Sequence, residues 1–176
     1  LRRLSDEVAT DQLTQIANRR GLLAAFEAER SRVARGAGGQ AKGQAMGLAI
    51  GLLDIDNFKK LNDSLGHGAG DEALKALAKA VHERLRPSDL VARYGGEEFV
   101  VLLPDTPPDE GRQILTRLQR ALSGSLFLHE NQPVFVTFSA GVTAYRDGEA
   151  IEAALERADQ ALYEAKRTGK NRTCLA

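Results

Sequence analysis

Cysteine is nearly absent from the 176 residues: Cys174 stands alone, so no disulfide forms within the chain and nothing opposes a reducing compartment. Excess charge of either sign is also lacking, since 24 Lys and Arg balance 24 Asp and Glu. A binder of nucleic-acid polymers carries a basic excess or stripe, and with neither present that partner class is excluded. No apolar run approaches the ~20 residues needed to cross a bilayer, and no secretory signal is visible. This segment is therefore expected to make no membrane contact and to lie in the cytoplasm, with a larger, membrane-anchored protein as one setting for it. Internal repeats are absent. The opening "LRRLSDEVAT" lacks an initial methionine, and Leu1, Leu4 and Val8 follow a helical spacing. Residues 1–10 are accordingly expected to be the end of an upstream signalling or linker helix, leaving 11–176 as one domain.

What is present suits a single globular unit, for the apolar fraction of 43% is ordinary for a soluble domain of this length. Leu22, Phe26 and Val33 mark a helix over 21–35, and the Gly-rich stretch 36–44 reads as a loop. "MGLAIGLLDID" is an apolar run ending in acids, which predicts a buried strand. Leu74, Leu77, Ala78, Val81 and Leu85 keep the 3.6-residue period of a helix over 69–85. Ile114, Leu115, Leu118 and Leu122 do the same near 109–122, and Ile151 to Ala165 give the clearest helical face, over 150–167. "VARYGGEEFVVLL" (91–103) predicts a hairpin, and 126–129 with 133–143 predict two strands about "ENQP". The order gives an α+β fold with a βαββαβ, ferredoxin-like core, a mostly antiparallel sheet flanked by helices.

That topology has a chemical consequence. A right-handed crossover sets the strand ending at Asp54 parallel to the strand ending near Tyr94. The hairpin turn with Glu97 and Glu98 then lies on the same sheet edge as Asp54 and Asp56, so four carboxylates are expected to converge. Crowded carboxylates raise one another's pKa, and a divalent cation removes that penalty. Oxygen-only ligands suit Mg²⁺ or Mn²⁺, with nucleotide phosphates completing the shell. Gly95 and Gly96, without Cβ atoms, let phosphate or base approach the backbone; they equally suit positive φ angles in a tight turn.

Several segments resemble one family. "RYGGEEF" is similar to the signature of the GGDEF diguanylate cyclases. "DQLTQIANRR" (11–20), "DIDNFKKLND" (54–63), "GHGAGDEAL" (66–74), "FSAGVT" (138–143) and "ADQALYEAKRTGKNR" (158–172) follow in the family's order. One departure is Gln15–Ile16, where the family commonly has Gly-Leu. The resemblance implies a cyclase-like palm and condensation of two GTP into cyclic di-GMP with release of two pyrophosphates. It implies a homodimer in which two domains face each other, regulated by an upstream sensory domain.

Site roles follow from the same resemblance. Asp54 and Glu97 would ligate the metal with the Ile55 carbonyl, and Glu97 or Glu98 would act as base. The N–H groups of Asn57 and Phe58, at a helix start, would meet the terminal phosphate, with Lys59 adding a cation. Asn62 and Asp71 look like guanine readers, a carboxylate accepting from an edge that adenine cannot offer; Asp71 could also cap a helix beginning after Gly70. His67 matches a substrate-contact position. Lys166 and Lys170, four apart at a helix end, would project from one face to the triphosphate or serve the helix C-terminus. Arg86 and Asp89 form an RxxD pair at the spacing of the family's product-inhibition site, with Arg117 to complete it; their bland alternative is a loop pair beside Pro87. A receptor that had lost catalysis would lack a signature carboxylate or glycine, and all are present. Another GTP- or ATP-using transferase on the same palm is the second alternative.

Overall fold

The structure, a computed structural model, describes residues 8–35 and 47–176. Of the expected upstream helix end at 1–10 only Val8–Thr10 are among these residues, and the Gly-rich loop 36–44 lies wholly outside them. The elements are α1 (Arg19–Ala34), β1 (Leu48–Ile55), α2 (Phe58–Leu65), α3 (His67–Arg84), β2 (Leu90–Arg93), β3 (Glu98–Pro104), α4 (Pro108–Ala121), β4 (Phe127–His129), β5 (Gln132–Val134), β6 (Phe138–Ala144), α5 (Ile151–Arg167) and β7 (Thr173–Leu175). The main sheet has the order β2-β3-β1-β6-β7. β1 lies antiparallel to both β3 and β6, and β3 antiparallel to β2, so β1 and β2 run the same way with β3 between them. This is the ferredoxin-like core expected from the sequence, extended by β7 parallel to β6.

β1 is apolar from Leu48 to Leu53 because helices cover both its faces. Ala49 and Leu53 join the core under α3 and α4, with Leu74, Leu77, Val81, Leu115 and Leu118. Leu48, Ile50 and Leu52 face the other way, onto Leu22 and Phe26 of α1 and Leu155 and Leu162 of α5. The seven positions of the predicted face, Ile151, Ala154, Leu155, Ala158, Ala161, Leu162 and Ala165, are all buried, so the helical period of that segment reports its packing faithfully. The two layers clamp β1 and bring its C-terminal end, at Asp54 and Ile55, to one rim.

Two expectations need correction. The predicted strand 133–143 is broken: β5 pairs with β4 in a separate hairpin, and β6 starts afresh at Phe138. Between them Thr137 is taken by the rim, its carbonyl accepting from the Asp56 N–H at 2.9 Å. The hairpin itself turns on Glu130 and Asn131, both with positive φ, as a two-residue primed turn requires. Second, α3 starts at His67 with Gly66 at its N-cap, so Asp71 lies in the second turn and caps nothing. β7 had no signal in the sequence, being three residues long.

Candidate active site

The rim is built by register. Asp54 stands opposite Glu98 across β1 and β3, and opposite Ser139 across β1 and β6. The turn from β2 into β3 closes through Tyr94 N–H to the Glu98 carbonyl at 2.8 Å, and the Glu97 carbonyl accepts from the Ile55 N–H at 3.3 Å. Gly95 and Gly96 do not take positive φ angles, so the turn-chemistry reading of that pair is overturned. Space is what Gly95 supplies: a Cβ there would stand 2.9 Å from Glu98 Oε1. At Gly96 a Cβ would meet nothing within 4 Å, so the turn is open on that side.

Glu97 and Asp54 lie near enough on the rim for the Asp54 charge to act on Glu97. Burial, then the Asp54 charge, pushes the Glu97 carboxyl up to about 7. Burial and Asp54 also raise Glu98, with Asp159 adding to the effect. Both carboxyls therefore lie above their ordinary values, Lys166 offsetting part of the rise.

Asp56 does not join them, which corrects the expected convergence of four carboxylates. Its side chain, 1% exposed, turns inward and accepts from Thr137 Oγ1 and Ser139 Oγ at 2.7 Å each, from Lys166 Nζ at 2.9 Å and from the Asn171 N–H at 3.0 Å. Burial raises this carboxyl, and the three side-chain donors more than offset it, so it lies below its ordinary value. Among the described residues, no three His, Cys, Asp or Glu side chains are grouped to hold an ion by themselves.

A cation nevertheless sits there. Lys166 Nζ donates to Asp54 Oδ1 at 2.9 Å and to the Ile55 carbonyl at 3.2 Å, with the Asp54 carbonyl at 3.4 Å. Positive charge is thus already held by the oxygens that were expected to take the metal. Two carboxylates, a carbonyl and room beside Gly96 fit Mg²⁺ or Mn²⁺, which commonly takes one or two protein carboxylates and fills its shell from phosphate.

Next to this cage lies the start of α2. Asn57, its N-cap, is left-handed (φ 58°) and makes no side-chain cap bond; its Oδ1 instead accepts from Lys170 Nζ at 2.7 Å. The free N–H groups of the first turn, including that of Phe58, and the Lys170 ammonium therefore share one corner, with Lys59 exposed beside it. Lys166 and Lys170 do not share a helical face: α5 ends at Arg167, and Lys170 follows in a left-handed turn (φ 65°). Each reaches the rim by its own route.

Asn62 on α2 and Asp71 on α3 belong to adjacent helices. Asn62 Oδ1 is buried without any hydrogen-bond partner. A Cβ on Gly70 would collide with that same atom, so the glycine makes the packing possible. Asp71 is exposed. The side chain of His67 lies outside those described.

Arg86 and Asp89 sit elsewhere, in the loop between α3 and β2. Arg86 holds Asp89 with Nη2–Oδ1 at 2.7 Å and Nε–Oδ2 at 3.0 Å, and Nη2 also donates to the Pro104 carbonyl and Thr106 Oγ1 at 2.9 Å each. The pair thus does the work of a loop clasp. It also lines a cavity of about 450 Å³ with Arg84, Glu110, Ile114 and Arg117.

Sequence reasoning missed Arg19. Its guanidinium lies 4.1 Å from the centre of the Tyr94 ring, its Nε donates to the Tyr94 carbonyl, and its charge partly counters the rise of Glu98. The only hint was its place just after Asn18, the α1 N-cap. Ser139, Thr137 and Asn171, the partners of Asp56, lay too far along the chain to be linked to it.

Comparison with known proteins gives a consistent result. The family described as "Diguanylate cyclase, GGDEF domain" matches residues 8–172. Diguanylate cyclase DgcP of Pseudomonas aeruginosa is 48% identical over 163 residues, 93% of this chain and 23% of the relative. Response regulator PleD of Caulobacter vibrioides is 42% identical over 165 residues, 92% of this chain and 35% of the relative. The GGDEF domain of DgcB from Caulobacter crescentus, solved in complex with c-di-GMP, superposes with a TM-score of 0.80 at 30% identity, covering 96% of this chain and 93% of that one. The chain spans roughly a quarter to a third of the length of the two full-length relatives.

Proposed function

The chain belongs to the GGDEF diguanylate cyclase family, and from that membership we propose that it joins two GTP into cyclic di-GMP, releasing two pyrophosphates. The observation that carries this reading is the rim itself: Asp54 beside Glu97, the Asp54 carboxylate and the Ile55 carbonyl turned to one cation, Lys166 Nζ, and every signature residue in place. One domain holds one GTP, and two copies of the domain face each other so that each 3′-hydroxyl attacks the other's α-phosphate. Positioning and charge do most of the work in such phosphoryl transfer.

Asp54, Glu97 and the Ile55 carbonyl are the residues that would hold Mg²⁺ or Mn²⁺, and the bound ion supplies charge that stabilises the α-phosphate and the leaving pyrophosphate. The chain's own residues do the rest. Lys170 and the first N–H groups of α2, at Asn57 and Phe58, bind the terminal phosphate, and Lys59 adds charge at its edge. Gly95 and Gly96 leave the turn open to the incoming nucleotide. Glu97 or Glu98 is the carboxylate that accepts the 3′-hydroxyl proton. The exposed Asp71 carboxylate accepts from the donors of guanine, with Asn62 on the adjacent helix as its partner in reading the base. His67 is assigned a substrate contact on family grounds alone. GTP as substrate implies a cytoplasmic setting, and residues 11–176 act as the catalytic unit beneath an upstream sensory domain.

Incubation with Mg²⁺ and either GTP or ATP tests the reading. Cyclic di-GMP should form from GTP only, at a rate that rises faster than linearly with protein concentration. In Asp71→Ala the GTP preference should shrink by about 10- to 100-fold, the scale of a lost charge-assisted hydrogen bond. Tight cyclic di-GMP binding without turnover would instead mark a receptor.

The cavity at Arg86 and Arg117 supports a second part of the proposal, product feedback through the RxxD pair. Cyclic di-GMP bound there would restrain turnover at a distance. Because Arg86 already holds Asp89, the Pro104 carbonyl that ends β3 and Thr106 just past it, product must take the guanidinium from these partners. Arg86→Ala should keep turnover and lose product inhibition, at a cost to stability of about 1–3 kcal/mol from the clasp. Inhibition that survives this substitution refutes the assignment.

A further inference from the structure

We infer that Lys166 is the placeholder cation of the site, occupying the oxygens of Asp54 and Ile55 until nucleotide draws it away, so that divalent ion and nucleotide enter as a coupled pair. The inference rests on the reading of Asp54, Ile55 and Glu97 as the ion's ligands. Lys166 Nζ is 2.9 Å from Asp54 Oδ1 and 3.2 Å from the Ile55 carbonyl, and 2.9 Å from Asp56 Oδ1. An ammonium has three protons, and these three oxygens use them all. A hard divalent ion sits at ~2.0–2.1 Å from its oxygens, so it and the ammonium cannot share Asp54 Oδ1 and the Ile55 carbonyl without two positive charges almost in contact. One must leave.

The surroundings allow it to be the lysine. Asp56 keeps three other donors, from Thr137, Ser139 and Asn171, so the departure of Lys166 strands no buried carboxylate. The lysine stem is flexible and the side chain is 26% exposed, open to the rim. Phosphates bound at the α2 corner, beside Lys170, offer it a new partner. Without nucleotide no such partner exists, and the ion would have to displace Lys166 with only two carboxylates and a carbonyl as reward. The same lysine therefore opposes the bare ion and welcomes the ion with its nucleotide.

Binding of Mn²⁺, read from the electron paramagnetic resonance of the free ion, tests this without turnover. Wild-type protein should bind Mn²⁺ weakly alone and at least about tenfold more tightly with a non-hydrolysable GTP analogue, within the range usual for coupled sites. Lys166→Met and Lys166→Gln should bind Mn²⁺ alone about tenfold more tightly than wild type, and the gain from the analogue should shrink by the same factor. Circular dichroism melts check that both variants fold. Should neither fold, the ¹⁵N signal of the Lys166 ammonium in wild type decides: it should ignore millimolar Mg²⁺ and move only when the analogue is added. Equal nucleotide-free affinity in wild type and variants, or movement of that signal with Mg²⁺ alone, overturns the placeholder role while leaving the ligand reading intact. No Mn²⁺ binding by any form, with or without the analogue, overturns both.

Discussion

Glu97→Gln should reduce cyclic di-GMP formation by at least about 10²- to 10³-fold, the scale on which a preorganised charge at a reacting centre acts. The fold should survive intact. Glu97 lies at the edge of the sheet, and its carboxyl is already pushed up to about 7 by burial and by Asp54. An amide of the same shape removes that crowding, so the thermal midpoint should stay level or rise slightly. Initial rates at saturating GTP, with melting curves on the same samples, separate the two effects. Near-normal turnover in a folded Glu97→Gln protein would refute the role given to this acid. A lost fold would mean that Glu97 serves the structure more than the chemistry.

Asp56→Ala should do the opposite kind of damage, lowering folding stability by about 3–5 kcal/mol, the usual consequence of removing one partner from a buried charged cluster. The Asp56 carboxylate is 1% exposed and gathers Thr137, Ser139, Lys166 and the Asn171 N–H. Those groups come from β6 and the residue just before it, from α5 and from the turn after α5, so one side chain ties three distant segments to the end of β1. Alanine would take the acceptor from two hydroxyls and part of an ammonium, and leave the Asn171 N–H only the Ser139 hydroxyl at 3.2 Å. Asp56→Asn should cost less, because an amide oxygen still accepts. Urea denaturation midpoints of the three proteins provide the measurement, and a loss below about 1 kcal/mol for alanine would contradict the anchoring role.

The contrast between Asp54 and Asp56 marks how far the sequence could be read. The apolar run of β1, the seven-residue face of α5 and the hairpin at 91–103 were legible because burial imposes a period on each. From those elements the topology followed, and with it the meeting of β1 and β3 at one rim. What separates the two aspartates is invisible at that level. Both follow the same apolar run, two residues apart, yet Asp54 stays at the rim and Asp56 turns inward. The donors that draw Asp56 in lie 81 to 115 residues further along. The break between β5 and β6 has the same origin, since Thr137 is claimed by Asp56. Lys166 and Lys170 were misread for a different reason: helical spacing was extended past Arg167, where the chain had already left the helix. Asn62 and Asp71 were found through resemblance, and only coordinates could reveal that one is an orphaned acceptor and that the other caps nothing.

β3 carries a further consequence for pharmacology. It begins with Glu98 at the rim and ends at Pro104, whose carbonyl is gripped by Arg86, and its seven residues measure ~20 Å. No single small molecule covers both ends, so an inhibitor lodged by Arg86 leaves room for substrate at the rim. Its kinetic signature should be noncompetitive, with substrate unable to wash it out.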